Sequence, residues 1–392
     1  MEGDSSELAR ELDQLLTEPV AAAQKRSASA FRENIATSQN RVVLFGTGSV
    51  GRRALGCLRR DQIEVLAFAD NDRSKWGGFI DGIEVVSPDT AVSRYGTDAN
   101  FIVTIYNHSH AFPQTREQLR GLGAKRISSV IPLRWHYHDE FLPYYRDDLP
   151  HKVLLDGDAI RKAFSLWADG FSRQEFVAQV RWRLHGDFDG LSAPTCGDQY
   201  FPADVIRLSR DEFFVDVGAF DGDTVRALLT LQQSEFRRIV ALEPDPQNFR
   251  KLSDYIASLP DETRTKIEAF QLAAGSANTQ VMFDSTGSNA AAVSGQGSVT
   301  VDCVRLDDLL QGRTPTYIKL DIEGAEMEAL AGAEAILREA RPRVAACVYH
   351  RQDHLWKIPL QLKQLLRDCS LYLRSHMYEC WETVCYALPG PA

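Results

Sequence analysis

Twice in this chain a short apolar run passes straight into closely spaced glycines, then a helical stretch, then a second apolar run ending in an acid. The first instance is RVVLF, Gly46-Thr47-Gly48-Ser49-Val50-Gly51, RRALGCLRR and IEVLAFAD, ending at Asp70. The second is FFVDV, Gly218-Ala219-Phe220-Asp221-Gly222-Asp223-Thr224, VRALLTLQQ and RIVALE, ending at Glu243. A strand, a crossover helix and a parallel partner strand form a βαβ unit, which few architectures can absorb. Two tandem Rossmann-like α/β domains are therefore expected. FIVTIYN extends the first sheet, and IEAFQLA, TYIKLD and RVAACVYH extend the second. LYLRSHMYECWETVCYALP reads as a terminal antiparallel hairpin with a long loop on a mostly parallel sheet.

The remaining segments fall around these units. Residues 1–39 read as a helical segment, with Leu8, Leu12, Leu15 and Leu16 on one face. That face must bury against the body or against a second subunit. The body is the favoured partner, and a homo-oligomer stays open. Residues 40–135 form the first Rossmann-like domain, 136–208 a helical bridge and lid, and 209–392 the second α/β domain. The stretch from Ala273 to Ser298 is rich in small residues and reads as a mobile loop.

At 392 residues the chain is long enough for two or three domains. Its net charge of -10 disfavours a polyanionic partner such as nucleic acid. The acidic start MEGDSSELARELDQLL lacks the apolar core of a secretory leader, and no run reaches membrane-span length. Seven cysteines without a C-x-x-C spacing point to reduced thiols and no zinc site. A cytoplasmic protein is expected.

The two glycine loops carry different charge. Gly46, Gly48 and Gly51 match the dinucleotide pattern, with Asp70 lying 19 residues beyond Gly51. That loop either binds a nucleotide or nucleotide-sugar, or is a vacant scaffold. The second loop has wider glycine spacing and contains Asp221, with Asp216 just before it. Acids beside a pyrophosphate are repelled, whereas beside the sulfonium and ammonium of S-adenosylmethionine they are favourable. Glu243 lies 21 residues beyond Gly222, at a strand tip from which a carboxylate can accept bonds from both ribose hydroxyls. Asp216, Gly218, Ala219, Phe220, Asp221, Gly222, Thr224, Glu243 and Pro244 are the resulting cofactor candidates. Ala273 and Ala274, at the end of the third strand, join them, although no acid stands there to read adenine.

Ligands in open α/β sheets lie at the carboxyl ends of the strands. The fourth strand ends Lys319-Leu-Asp321-Ile-Glu323-Gly-Ala-Glu326. Asp321 and Glu323 are catalytic candidates there, and Lys319, on the same side and placed to pair with a carboxylate, joins the cofactor candidates. The alternative is a charged strand end whose glutamates suit the next helix N-terminus. The fifth strand delivers His350, a candidate general base or a solvent-exposed loop residue. The pairs His108/His110 and His136/His138 lack a third ligand, so a surface or packing role is expected. No metal is required, though Asp321 and Glu323 could hold magnesium.

The segments VDVGAFDGDT, ALEPDPQNF, VRLDDLL and YIKLDIEGAE, with the stretch from YHRQDHLW onward, resemble the FkbM family of methyltransferases. That resemblance spans roughly Gln199 to Pro389. It implies S-adenosylmethionine-dependent O-methylation of a sugar or natural-product hydroxyl. It maps Asp216, Gly218 and Glu243 to cofactor positions and Asp321 to the active-site floor. Two other readings remain: a nucleotide-sugar-binding or regulatory protein with an idle methyltransferase fold, and an NAD-dependent oxidoreductase working through the first domain.

Overall fold

The computed structural model describes residues 5–195, 197–233, 235–284, 292–293 and 299–390. The chain opens with helices Ser5–Leu15 and Val20–Ala36. Leu8 and Leu12 are buried in one core with Val153, Ile160 and Phe176, while Leu15 and Leu16 pack at its edge. The leucine face therefore closes on the body, mainly on helix Gly170–His185.

The first sheet has six strands in the spatial order Phe79–Ile80, Ile83–Val86, Glu64–Ala69, Arg41–Phe45, Asn100–Val103 and Arg126–Ser129. The pairing is parallel except between the first two. Val42 to Phe45 are fully buried, which is why RVVLF is continuously apolar. At the next turn Gly51 touches the loop: a Cβ there would lie 2.2 Å from the Gly46 carbonyl oxygen.

The second sheet has seven strands in the order Cys369–Ser375, Thr383–Pro389, Arg343–Cys347, Tyr317–Leu320, Phe213–Val217, Arg238–Leu242 and Ile267–Phe270. Thr383–Pro389 runs antiparallel to both neighbours, so the terminal hairpin inserts its last strand beside Arg343–Cys347. All other pairings are parallel. The chain leaves Phe213–Val217 in one direction and returns through Tyr317–Leu320 on its other side. A crevice opens at the carboxyl ends of these two strands. Val215 and Val217 face one core, with Leu320 and the leucine helix. Phe214 faces the other, which continues through Trp182 and Trp135 into the first sheet. The two α/β units thus share packed cores.

One sequence expectation changes here. The stretch from Ala273 is not simply a loop: Thr279–Asp284 pairs antiparallel with Val299–Val304, beside the short strands Ala273–Ala274 and Ala292–Val293. Phe283, Val301 and Cys303 bury against Ala273 in a small satellite core. Their period-two alternation outweighs the many small residues nearby. Residues 285–291 and 294–298, also covered by the loop expectation, lie outside the described residues. The bridge is helical at His138–Phe141, His151–Leu155, Gly157–Phe164 and Gly170–His185. Its last helix is capped by Asp169, which accepts from the Ser172 N–H at 2.7 Å. Among the described residues, no helix is long and apolar enough to cross a membrane.

Candidate functional site

The second glycine loop is shaped by a close approach of two strand ends. Gly218 has φ +83°, and a Cβ there would lie 1.9 Å from the backbone oxygen of Asp321. The Gly218 and Ala219 N–H groups both donate to the Leu242 carbonyl at 2.9 Å, tying the loop to the neighbouring strand. Glu243 completes the link. Its Oε2 accepts from the Phe220 N–H at 2.8 Å, and its Oε1 from the Asp245 N–H at 2.9 Å. Each carboxylate oxygen has further lone-pair capacity for a ligand hydroxyl. Burial pushes the Glu243 carboxyl up to about 7.

Beneath the loop, Lys319 Nζ lies 3.0 Å from Asp216 Oδ1 and donates to the Gly218 carbonyl. Burial raises Asp216 to about 6, against the pull of Lys319. Burial also opposes the charge on Lys319, but Asp216 and Asp321 outweigh it and hold the ammonium above its ordinary range. A cavity of about 250 Å³ sits above these groups. Gly218, Phe220, Thr224, Glu243, Pro244, Ala273, Ala274, Lys319, Asp321 and Glu323 all line it.

One end of the cavity is acidic. Asp321 Oδ2 accepts from the Tyr200 hydroxyl at 2.7 Å. Glu382, from the terminal hairpin, accepts from Gln199 at 2.6 Å. Candidate ligand atoms of Asp321, Cys347 and Glu382 lie within 4.8 Å of one another, with the Tyr200 hydroxyl 3.5 Å from the Cys347 Sγ. Glu323 stands beside Asp321 in a left-handed conformation, φ +53°. Burial pushes its carboxyl up to about 7, and the Tyr145 hydroxyl is its hydrogen-bond partner.

His350 is almost fully buried behind this pair. Its Nδ1 lies 2.7 Å from Glu326 Oε1, and its Nε2 lies 3.3 Å from Asp321 and 3.6 Å from Glu323. Burial disfavours the imidazolium, but Glu326, Glu323 and Asp321 outweigh it and lift the ring to about 10. Burial would likewise raise Glu326, yet His350 and His354 hold it well below the carboxylate range. Glu326 also accepts from the Ile322 and Gly324 N–H groups at 3.0 and 3.3 Å, so it clamps the turn that presents Glu323.

Several sequence candidates stand elsewhere. Asp221 does not face the cavity, because Arg226, five residues on and within the next helix, pairs with it. Ala219 is fully buried, and Gly222 packs against Tyr255 and Leu252. Asp216 lies below the cavity under Lys319. His350 lines a neighbouring groove, and its raised pKa makes it a poor proton acceptor near neutral pH. The reading from sequence missed Tyr145, Tyr200, Phe283, Tyr349 and Glu382. Tyr145, Tyr200, Phe283 and Glu382 sit neither at a glycine loop nor at the tip of a parallel strand, whereas Tyr349 stands just past Arg343–Cys347, beside His350. Asp223, one residue past Gly222, also lines the cavity. His108 of the first α/β unit reaches the same cavity, although its H-x-H pattern suggested only surface or packing.

The first glycine loop is arranged differently. Asp70 Oδ2 accepts from the Thr47 N–H at 3.1 Å, from the Thr47 hydroxyl at 2.5 Å and from Lys75 at 3.1 Å. Its Oδ1 accepts from the Asp72 N–H at 2.9 Å. The carboxylate expected to bind a ribose thus holds its own loop closed. Gly46 and Gly51 are buried in that turn, while Gly48 is exposed.

Residues 216–378 match the family model described as methyltransferase FkbM domain, and residues 38–127 match one described as C2185-like, N-terminal. No curated protein matches the chain. A crystal structure of methyltransferase FkbM from Methylobacillus flagellatus KT is similar over 98% of both chains, at 22% identity and a TM-score of 0.75. The chain therefore shares that protein's fold from end to end. UDP-D-quinovosamine 4-dehydrogenase from Vibrio fischeri is matched over 22% of this chain and 75% of its own, at 22% identity and a TM-score of 0.20. A putative rRNA methylase from Clostridium thermocellum is matched over 46% and 87%, at 7% identity and a TM-score of 0.32. Those two likenesses are too slight to bear on function.

Proposed function

We propose, for a chain whose residues 216–378 carry an FkbM methyltransferase domain, that it methylates a hydroxyl of a sugar or natural-product-type small molecule using S-adenosylmethionine. The observation that carries this reading is the cavity at the sheet's switch point, where Gly218, Glu243 and Asp321 converge.

The residues present fit the cofactor. Glu243 keeps acceptor capacity for two ribose hydroxyls after serving the Phe220 and Asp245 N–H groups. Leu272, Ala273 and Phe283 offer apolar walls to adenine where no acid stands. Asp321 with Glu323 and Glu382 gives the far end the negative character that a sulfonium favours. Bound there, S-adenosylmethionine supplies an electrophilic methyl group.

The chain's own contribution is alignment, which can supply ~7–11 kcal/mol. Tyr200 fixes Asp321 on one side of the transfer point. Glu323, clamped through Glu326, is the group suited to take the acceptor's proton, because a base works best with a pKa near the working pH. His350 takes the supporting role of holding both carboxylates. Turnover is accordingly expected to rise with pH through an inflection at about 7 as Glu323 loses its proton. A flat profile between pH 5 and 9 with chemistry rate-limiting, or an inflection tied to His350, would remove Glu323 from the role.

The first test is calorimetric binding of S-adenosylmethionine, with mass-spectrometric search for methylated product. Glu243→Ala should weaken that binding at least ~10-fold, since hydrogen bonds to a charged group are worth ~1.5–3 kcal/mol each. An affinity unchanged within about twofold would sink the ribose assignment. The oxidoreductase reading is disfavoured by Asp70, whose Oδ2 is taken up by Thr47 and Lys75, leaving at most its Oδ1, which also serves the Asp72 N–H, for a ribose.

A further inference from the structure

A second cavity, of about 1180 Å³, opens beside the first. The two share Ala274, Glu323 and Ala325. Its other walls come from three distant parts of the chain: the bridge at 143–156, the ribbon at 275–281 and the segment 350–357. Building on the methyl-transfer reading above, we propose that this groove holds the methyl acceptor, and that the acceptor is a neutral glycan of several rings.

Position supports an acceptor. Glu323 stands at the junction, so a molecule lying in the groove can pass one hydroxyl into the edge of the cofactor cavity while its bulk stays outside. Size supports several rings. Pockets for drug-sized ligands run to ~300–1,000 Å³. A single sugar ring would leave most of this groove to water.

Charge argues against a nucleotide or other phosphate ester. Lys152 is paired with Asp148 at 2.7 Å. Lys357 is paired with Asp353 at 2.7 Å and lies 3.8 Å from Asp156. Arg351 is held loosely, 4.0 Å from Asp353, and the acidic Glu328 shares the same wall. One loosely held guanidinium among carboxylates is a poor polyphosphate site. The paired groups instead offer fixed donors and acceptors to hydroxyls.

Two further features suit sugar rings. Leu155 lines the groove while 67% exposed, and Pro143, Tyr145 and Val281 add apolar surface to the same lining. Exposed apolar side chains of this kind suit the C–H faces of sugar rings. Gln352 lines the groove while buried, and its Nε2 has no acceptor among the described residues. A buried donor left unpaired is costly, and a turn of the Gln352 side chain toward the groove would let a ligand hydroxyl satisfy it.

The test uses the full chain on a glycan array carrying neutral mono- to hexasaccharides, anionic glycans and nucleotide sugars, with S-adenosylmethionine affinity measured separately by calorimetry. Neutral glycans of several rings should be retained at least ~10-fold better than monosaccharides or nucleotide sugars. Leu155→Asp and Gln352→Ala should each cut that retention by ~10-fold or more, with cofactor affinity within about twofold. Because Leu155 is exposed, its variant folds even if Gln352→Ala does not. Retention of nucleotide sugars alone, retention of no glycan, or retention indifferent to the folded variants overturns the glycan groove. Those results leave the methyltransferase reading standing if S-adenosylmethionine binds. Failure to bind S-adenosylmethionine overturns that reading itself.

Discussion

Gly218→Ala is expected to remove S-adenosylmethionine binding while most of the fold survives. The added Cβ would lie 1.9 Å from the Asp321 carbonyl oxygen and 3.1 Å from the Ile322 side chain. No rotamer relieves this, because the obstruction is backbone. The residue would also have to hold φ +83°, which L side chains rarely adopt. Two relaxations are available. The loop can lift away from the strand, or the end of Tyr317–Leu320 can move back. Lifting the loop pulls the Phe220 N–H from Glu243, and moving the strand end displaces Asp321 from Tyr200. Either one breaks the convergence that the cofactor needs. We expect affinity to fall ~10³-fold, about 4 kcal/mol. Calorimetry would show this directly, and circular dichroism would show retained secondary structure. An alanine variant binding within about threefold of the parent would mean the loop does not cradle the cofactor.

The contrast between the two glycine loops shows what the sequence could and could not say. Both carry the strand, glycines, helix and distal acid, and both form the expected turn. The difference lies in what the acid does afterwards. Both Glu243 oxygens keep room for a ligand, whereas Asp70 Oδ2 is consumed by Thr47 and Lys75. Thr47 is an unremarkable residue inside the motif, and only three dimensions show its hydroxyl reaching the carboxylate. The longer strands were legible because each is a bounded apolar run, and the hairpin announces itself by position; Phe79–Ile80, Ile83–Val86 and Arg126–Ser129 were not, being short and partly exposed. The ribbon was not, because its core is only Phe283, Val301 and Cys303 with Ala273, and with Val281 packing at the edge, among many small residues. The acidic end of the cavity was the least readable. Tyr145, Tyr200 and Glu382 come from the bridge and from the hairpin loop, up to 237 residues apart. No local pattern connects residues brought together by the packing of separate units. Asp221 failed for the opposite reason, since a nearby arginine on the following helix satisfied it first.

Glu326→Ala should produce the largest loss of stability of any single change in the site. Glu326 is fully buried and meets His350 at 2.7 Å, His354 at 3.1 Å, and two backbone N–H groups of the turn. Removing one partner of a buried ion pair costs ~3–5 kcal/mol, because the charge left behind loses its compensation. The pH dependence has a defined sign. The folded-state pKa of His350 is raised to about 10, so its contribution is complete below its unfolded value of ~6.5 and is lost as pH rises toward about 10. Glu326 is lowered, so its contribution is present above its unfolded value of ~4.3 and is lost only as pH falls further. Stability from the pair is therefore greatest between these two unfolded values and declines through the alkaline range. Urea unfolding at pH 6, 8 and 9.5 should show the parent losing stability along that series. His350→Ala should flatten the decline, because the group that must give up its proton is gone. Glu326→Ala should lower stability at all three values and flatten the decline too, since His350 without Glu326 loses its strongest source of a raised pKa. If both variants match the parent within ~0.5 kcal/mol and keep its alkaline slope, the buried cluster is not ionised as drawn. His350 would then be a neutral imidazole at physiological pH, with an Nε2 aimed at Asp321 and Glu323 and free to accept a proton. The general base would pass from Glu323 back to the histidine.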